Sequence, residues 1–115
     1  MRITFLLSGG FAGRLQGCRI DTTQLSDADR LRFEALVTTS GLAGSQKIFT
    51  AAGRDLRRYG IVIETEGRDV RLECDERSVP EAARPLLAAL AARAGPQPPS
   101  FDLPSAPETR QPRDG

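Results

Sequence analysis

The sequence predicts an α+β fold: a four-stranded antiparallel sheet in ββαββα order, two helices packed on one face of it, and a disordered C-terminal tail. Three observations predict it. Residues 2–8 and 68–75 alternate apolar and polar side chains with a period of two, as half-buried strands do. Two later segments space their apolar residues as helices do, between start and stop signals. From Gly95 onward six of the eight prolines gather among Ser, Asp, Arg and Gln, a composition too poor in apolar side chains to build a packed core.

Each element follows in order. Along residues 2–8, Ile3, Phe5 and Leu7 share one face, and Arg2, Thr4, Leu6 and Ser8 the other. Gly9 and Gly10 break the run. A second strand is expected over residues 13–21, with Cys18 and Ile20 inward, so that residues 8–12 form a hairpin tip. Ser26 reads as a helix N-cap, with Asp27 and Asp29 favourably placed at the positive end of the dipole. The helix runs over 27–39 with a row of Leu31, Ala35 and Thr38, and Phe33, Leu36 and Val37 beside it. Residues 41–55 are glycine-rich without period and read as a long loop, a kind of segment that is often functional. A strand over 56–66 places Tyr59, Ile61 and Ile63 on one face. Glu66-Gly67 turns it into 68–75, where Val70, Leu72 and Cys74 face inward. A second helix is expected from near Ser78, with Pro80 and Glu81 in its first turn and Pro85 a turn in. Ala83, Leu86, Leu87 and Leu90 are its apolar positions, and Gly95-Pro96 stops it. The halves echo each other at an offset of 54: Asp21 matches Asp75, Leu25 Val79, Arg30 Arg84 and Leu36 Leu90.

Composition weighs against catalysis. The chain has no His, the commonest general base and metal ligand. Cys18 and Cys74 are far apart, with no zinc-type spacing, so neither a metal site nor a cofactor is expected. They are read as two reduced, buried thiols or as one disulfide. Asp21 and Asp75 suit turns better than a catalytic dyad. With 16 basic and 15 acidic residues there is no general field for nucleic acid or anionic lipid, and neither partner is expected. No run approaches membrane-spanning length, and the opening apolar run is too short for a signal peptide. A cytoplasmic protein is expected.

The segment Ser8, Gly9, Gly10, Phe11, Ala12 and Gly13 is the most unusual local feature. Phosphate cradling would need a following helix and a GK[ST] pattern, whereas a strand is expected next. Two readings stay open: a plain glycine hairpin turn, or a protein-binding tip whose Phe11 enters a partner's pocket. Phe11 folded back on the core belongs to the first. Arg54, Arg57 and Arg58 form the densest basic cluster, either steering an acidic partner or keeping the surface soluble. Phe101 and Leu103 are either a docking motif or an apolar pair scattered in a linker.

Arg2-Ile3-Thr4-Phe5, Ser8 to Gly13, Asp21, Leu25, Tyr59 and Asp75, and Glu81-Ala82-Ala83-Arg84-Pro85-Leu86-Leu87 together carry a resemblance to the emfourin family. It spans residues 1–94, an inhibitor domain, and leaves 95–115 as an added tail. Emfourins inhibit M4 (thermolysin-like) metallopeptidases. The resemblance therefore implies an inhibitor rather than an enzyme, monomeric when free. It would block a peptidase's active-site cleft by tight, reversible binding, with Ser8–Gly13 as the contact. A non-inhibitory interaction module, pairing a partner strand along a sheet edge, is the alternative.

Overall fold

The computed structural model describes residues 1–9, 15–49 and 56–104. In chain order the elements are β1 (Arg2–Gly9), β2 (Gln16–Asp21), α1 (Asp27–Thr39), β3 (Ser45–Ile48), β4 (Arg57–Thr65), β5 (Arg68–Asp75), α2 (Arg84–Arg93) and β6 (Gly95–Pro96). They form one mixed sheet in the order β3-β5-β4-β1-β2-β6. Its four inner strands pair antiparallel, as two hairpins joined through β1 and β4.

The expected period-two pattern is observed where it was strongest. Ile3, Phe5, Ile20, Ile61, Ile63, Leu72 and Cys74 point from the four central strands into one buried cluster. Phe33 of α1 and Leu86, Leu87, Ala89 and Leu90 of α2 close that cluster from above, so both helices cover the same face. Phe5 stacks on Tyr59 at 6.2 Å between ring centres. Ser26 caps α1 by accepting from the Asp29 N–H at 3.2 Å.

Five expectations need correction. The sheet has six strands, not four. β3 lies inside the segment read as a structureless loop, and pairs parallel with β5. Its residues are all exposed, so no buried face stamped a period on its sequence. β6 begins the segment read as disordered tail and pairs with Gln16 and Gly17 of β2. In α1, Leu31 is 58% exposed and Ala35 and Thr38 also face out, while Phe33 is fully buried. The row that meets the sheet is therefore the one around Phe33. The second helix begins at Arg84, after a 3₁₀ turn over Glu81–Ala83, so Pro85 stands in its first turn, where no intrahelical N–H bond is lost.

The disulfide is also excluded. Cys18 on β2 and Cys74 on β5 are separated by β1 and β4, which is about 14 Å at the usual strand spacing and beyond a disulfide's reach. Residues 10–14, 50–55 and 105–115 lie outside the described residues, so the tail is testable only as far as Pro104. Over that stretch it is ordered: Phe101 is buried against the helix-free face of the sheet.

Phe33 is the one fully buried side chain that α1 contributes to the core, and the Arg93 guanidinium lies 5.3 Å from its ring centre. Phe33→Ala is expected to lower unfolding stability by about 3–5 kcal/mol in urea denaturation. A loss near zero would mean that α1 does not pack on the sheet as described.

Candidate interaction surface

One end of the sheet brings Ser8 and Gly9 together with Arg57, Arg58 and Asp75. β1 ends there at Ser8 and Gly9. Opposite them in the β1–β4 ladder stand Arg58 and Arg57, and opposite Arg58 in turn stands Asp75. Gly9 has φ +90°, a conformation that side-chain-bearing residues rarely adopt, and an added Cβ would lie 2.9 Å from the Leu56 carbonyl oxygen. The glycine is therefore required by backbone shape and by close approach together. Ser8 is half-buried and Gly9 exposed. Gly10, Phe11, Ala12 and Gly13 lie outside the described residues, as does Arg54.

The base of this end is cross-tied. The Arg57 N–H donates to Glu76 Oε1 at 2.8 Å, and the Glu76 N–H returns a bond to the Arg57 carbonyl at 3.0 Å. The Asp75 carboxylate accepts from the N–H groups of Arg77 at 2.9 Å and Ser78 at 3.0 Å. The Ser78 hydroxyl donates to the Ile48 carbonyl at 2.6 Å, tying β3 to the same turn. Arg58 lies over the Phe49 ring at 5.1 Å. Arg57, Arg58 and Arg77 are all exposed, so among the described residues this end carries three guanidinium groups.

Among the described residues no group of three or more His, Cys, Asp or Glu is placed to hold a metal ion. Asp21 faces Arg2 at the opposite end of β1, about 20 Å along the strand from Asp75, so the two are no dyad. The Asp21 carboxyl is held below its usual range by the Thr23 hydroxyl and Thr23 N–H that donate to it. Burial pushes the Cys74 thiol up to about 11, with the Asp75 carboxylate acting the same way. Burial also raises Cys18, against a smaller opposing effect of Arg93. Neither thiol is a ready nucleophile. Two clefts, about 260 Å³ beside Tyr59 and Leu87 and about 210 Å³ beside Leu6 and Leu103, fall below the usual size of small-molecule sites.

The fold is a mixed sheet with two helices on one face, and its class is given by family. The family model for Emfourin matches residues 6–91, three quarters of the chain. The chain belongs to the Emfourin family, whose known function is metallopeptidase inhibition. No curated protein and no solved structure matches it. No helix among the described residues is long and apolar enough to cross a membrane.

Sequence reasoning missed three contributors: β3, the Arg58–Phe49 stack, and the segment ending at Pro104. The exposed pair Ile48 and Phe49 within the glycine-rich stretch was the available signal for the first two.

The thiols give a pH-dependent expectation. The ordinary thiol value is 9.0, and folded Cys74 titrates near 11. The folded state thus keeps a proton that the unfolded chain loses first. The contribution to stability is complete below pH 9 and falls as pH rises towards 11. At pH 7.5, iodoacetamide should leave Cys74 unmodified in the native protein and alkylate both cysteines in urea. Rapid native labelling of Cys74, read by mass spectrometry, would contradict this account.

Proposed function

We propose that this chain is a tight, reversible inhibitor of a thermolysin-like (M4) metallopeptidase, and that it obstructs the active-site cleft without removing the metal. The observation that carries the reading is the mounting of β1. This strand is paired along its length with β4 on one side, and from Arg2 to Leu7 with β2 on the other. It delivers Ser8 and Gly9 to the rim of the scaffold. The segment that follows in the sequence, Gly10 to Gly13, is the proposed contact, with Phe11 as the proposed anchor in the peptidase's apolar pocket. Ser8 and Gly9, already fixed by the ladder, lose less freedom on binding than a free peptide does. The chain itself offers no His, the commonest general base for hydrolysis. We place it in the cytoplasm as a free monomer, with both thiols reduced.

A second reading has one observation in its favour. β3 is an exposed edge strand, open to pairing by a partner's strand. A module of that kind would bind a protein without inhibiting it.

Titration of an M4 peptidase with the purified chain should abolish activity near a 1:1 ratio. Phe11→Ala should weaken inhibition by about two orders of magnitude, as loss of a buried aromatic anchor does. Full peptidase activity in the presence of excess chain, tested on several M4 enzymes, would sink the proposal; binding without inhibition would transfer support to β3.

A further inference from the structure

The helix-free face of the sheet carries a site that the chain fills with its own C-terminal segment. Gly17, Leu6 and Gly60 lie in one transverse row across β2, β1 and β4. The two glycines leave a dimple on each side of Leu6. Phe101 fills the first: a Cβ on Gly17 would sit 2.5 Å from the Phe101 ring. Leu103 fills the second: the three nearest neighbours of a Cβ on Gly60 would all be Leu103 carbons, the closest at 2.7 Å. Two arginines hold the segment across the strands. Arg19 stacks on the Phe101 ring at 4.4 Å and donates to the Asp102 carbonyl at 3.2 Å. Arg71 on β5 donates to the Pro104 carbonyl at 2.6 Å.

The same segment is tied to the start of β2. The Gln97 N–H donates to the Leu15 carbonyl at 2.9 Å, and its side-chain amide to the Gly17 carbonyl at 3.0 Å. Leu15 is where the chain returns from the segment that follows Gly9. Unlike β1, whose full length is paired with β4, this end of β2 has only two residues of β6 on its outer side. The segment lies beyond the residues matched by the family model, which end at 91.

We infer that residues 97–104 are a strap that positions the start of β2, and through it the proposed inhibitory segment, by occupying a Phe-x-Leu site on the helix-free face. The inference rests on the inhibitory reading given above. Phe101, Leu103 and Gln97 are positioning residues: they are placed to act through Leu15 and Gly17, not by touching a peptidase. A loosened β2 leaves the encounter with the partner unchanged and shortens the lifetime of the complex, because the ordering lost must be restored in the bound state.

The test uses the full chain. Two variants are compared with wild type: Phe101→Ala/Leu103→Ala, which empties both dimples, and Gly60→Ala, which pushes Leu103 out while leaving the strap sequence intact. Dissociation from an M4 peptidase should become about tenfold faster, with association within about twofold of wild type. Amide exchange of residues 15–19 should also rise by about tenfold. Release of the strap without change in either quantity would overturn the inference, since the segment would then be a passive cover. If wild type inhibits no M4 peptidase, the inhibitory reading fails by itself; exchange at residues 15–19 then decides the strap, unchanged rates refuting it and faster rates sustaining the bracing.

Discussion

The structure depends on β1 being hydrogen-bonded on both sides. Its pairing with β4 covers every residue from Arg2 to Gly9, and its pairing with β2 covers Arg2 to Leu7. From Arg2 to Leu7 the register is therefore fixed twice, and a slip of one residue would turn Ile3 and Phe5 out of the core. Ile3 and Phe5 are fully buried, and the Phe5 ring is also held by Tyr59 of the neighbouring strand. The position of Gly9 at the rim is a consequence of that register: once Phe5 faces the helices opposite Ile61, Gly9 must stand opposite Arg57. Gly9 also carries the positive φ that a side-chain-bearing residue rarely adopts.

The two faces of the sheet are covered by different means. The inner face is sealed by leucines from α2 and by Phe33 from α1, the usual solution for an α+β layer. Among the described residues the outer face carries no helix. There, two glycines replace side chains that would otherwise stand up from the sheet, and a short extended segment brings two apolar side chains of its own to fill the gaps. Glycine weakens a strand; at Gly60 the space is taken by Leu103 alone, whereas at Gly17 an added Cβ would meet the Phe5 carbonyl oxygen of the neighbouring strand as well as the Phe101 ring. The near-balanced charge serves the same arrangement locally, since Arg19 and Arg71 are used on carbonyl oxygens and an aromatic ring and not on a distant field.

What the sequence made legible is what short-range physics writes. The alternation in β1, β4 and β5 and the Ser26 cap followed by two aspartates in the first turn of α1 are local signals, and these elements form as expected. The buried side of α1 was harder, because Leu31 and Phe33 both begin plausible apolar rows, and only the position of the sheet selects Phe33. β3 was invisible: Ser45–Ile48 is exposed throughout and is a strand only because β5 lies beside it. The strap was hidden for the same reason. Phe101 and Leu103 look stray in a proline-rich stretch until Gly17 and Gly60, distant in sequence, are seen to face them. At the candidate surface, Ser8 and Gly9 were legible from the glycine pair, whereas Arg57 and Arg58 acquired their place opposite them only through the β1–β4 register.

Under the inhibitory reading proposed above, this division bears on how a small scaffold would act on an enzyme. Blocking a cleft requires shape that is held before contact, since every side chain or loop ordered during binding subtracts from affinity. The chain meets that requirement at β1 by double pairing and at the neighbouring turn by the reciprocal Arg57–Glu76 bonds and the Asp75 cap. The start of β2 is the member of the set with the least pairing of its own, and it is there that the C-terminal segment adds its hydrogen bonds. A segment outside the matched family region is thus spent on the weakest support of the surface, which is where added order has the largest effect on binding.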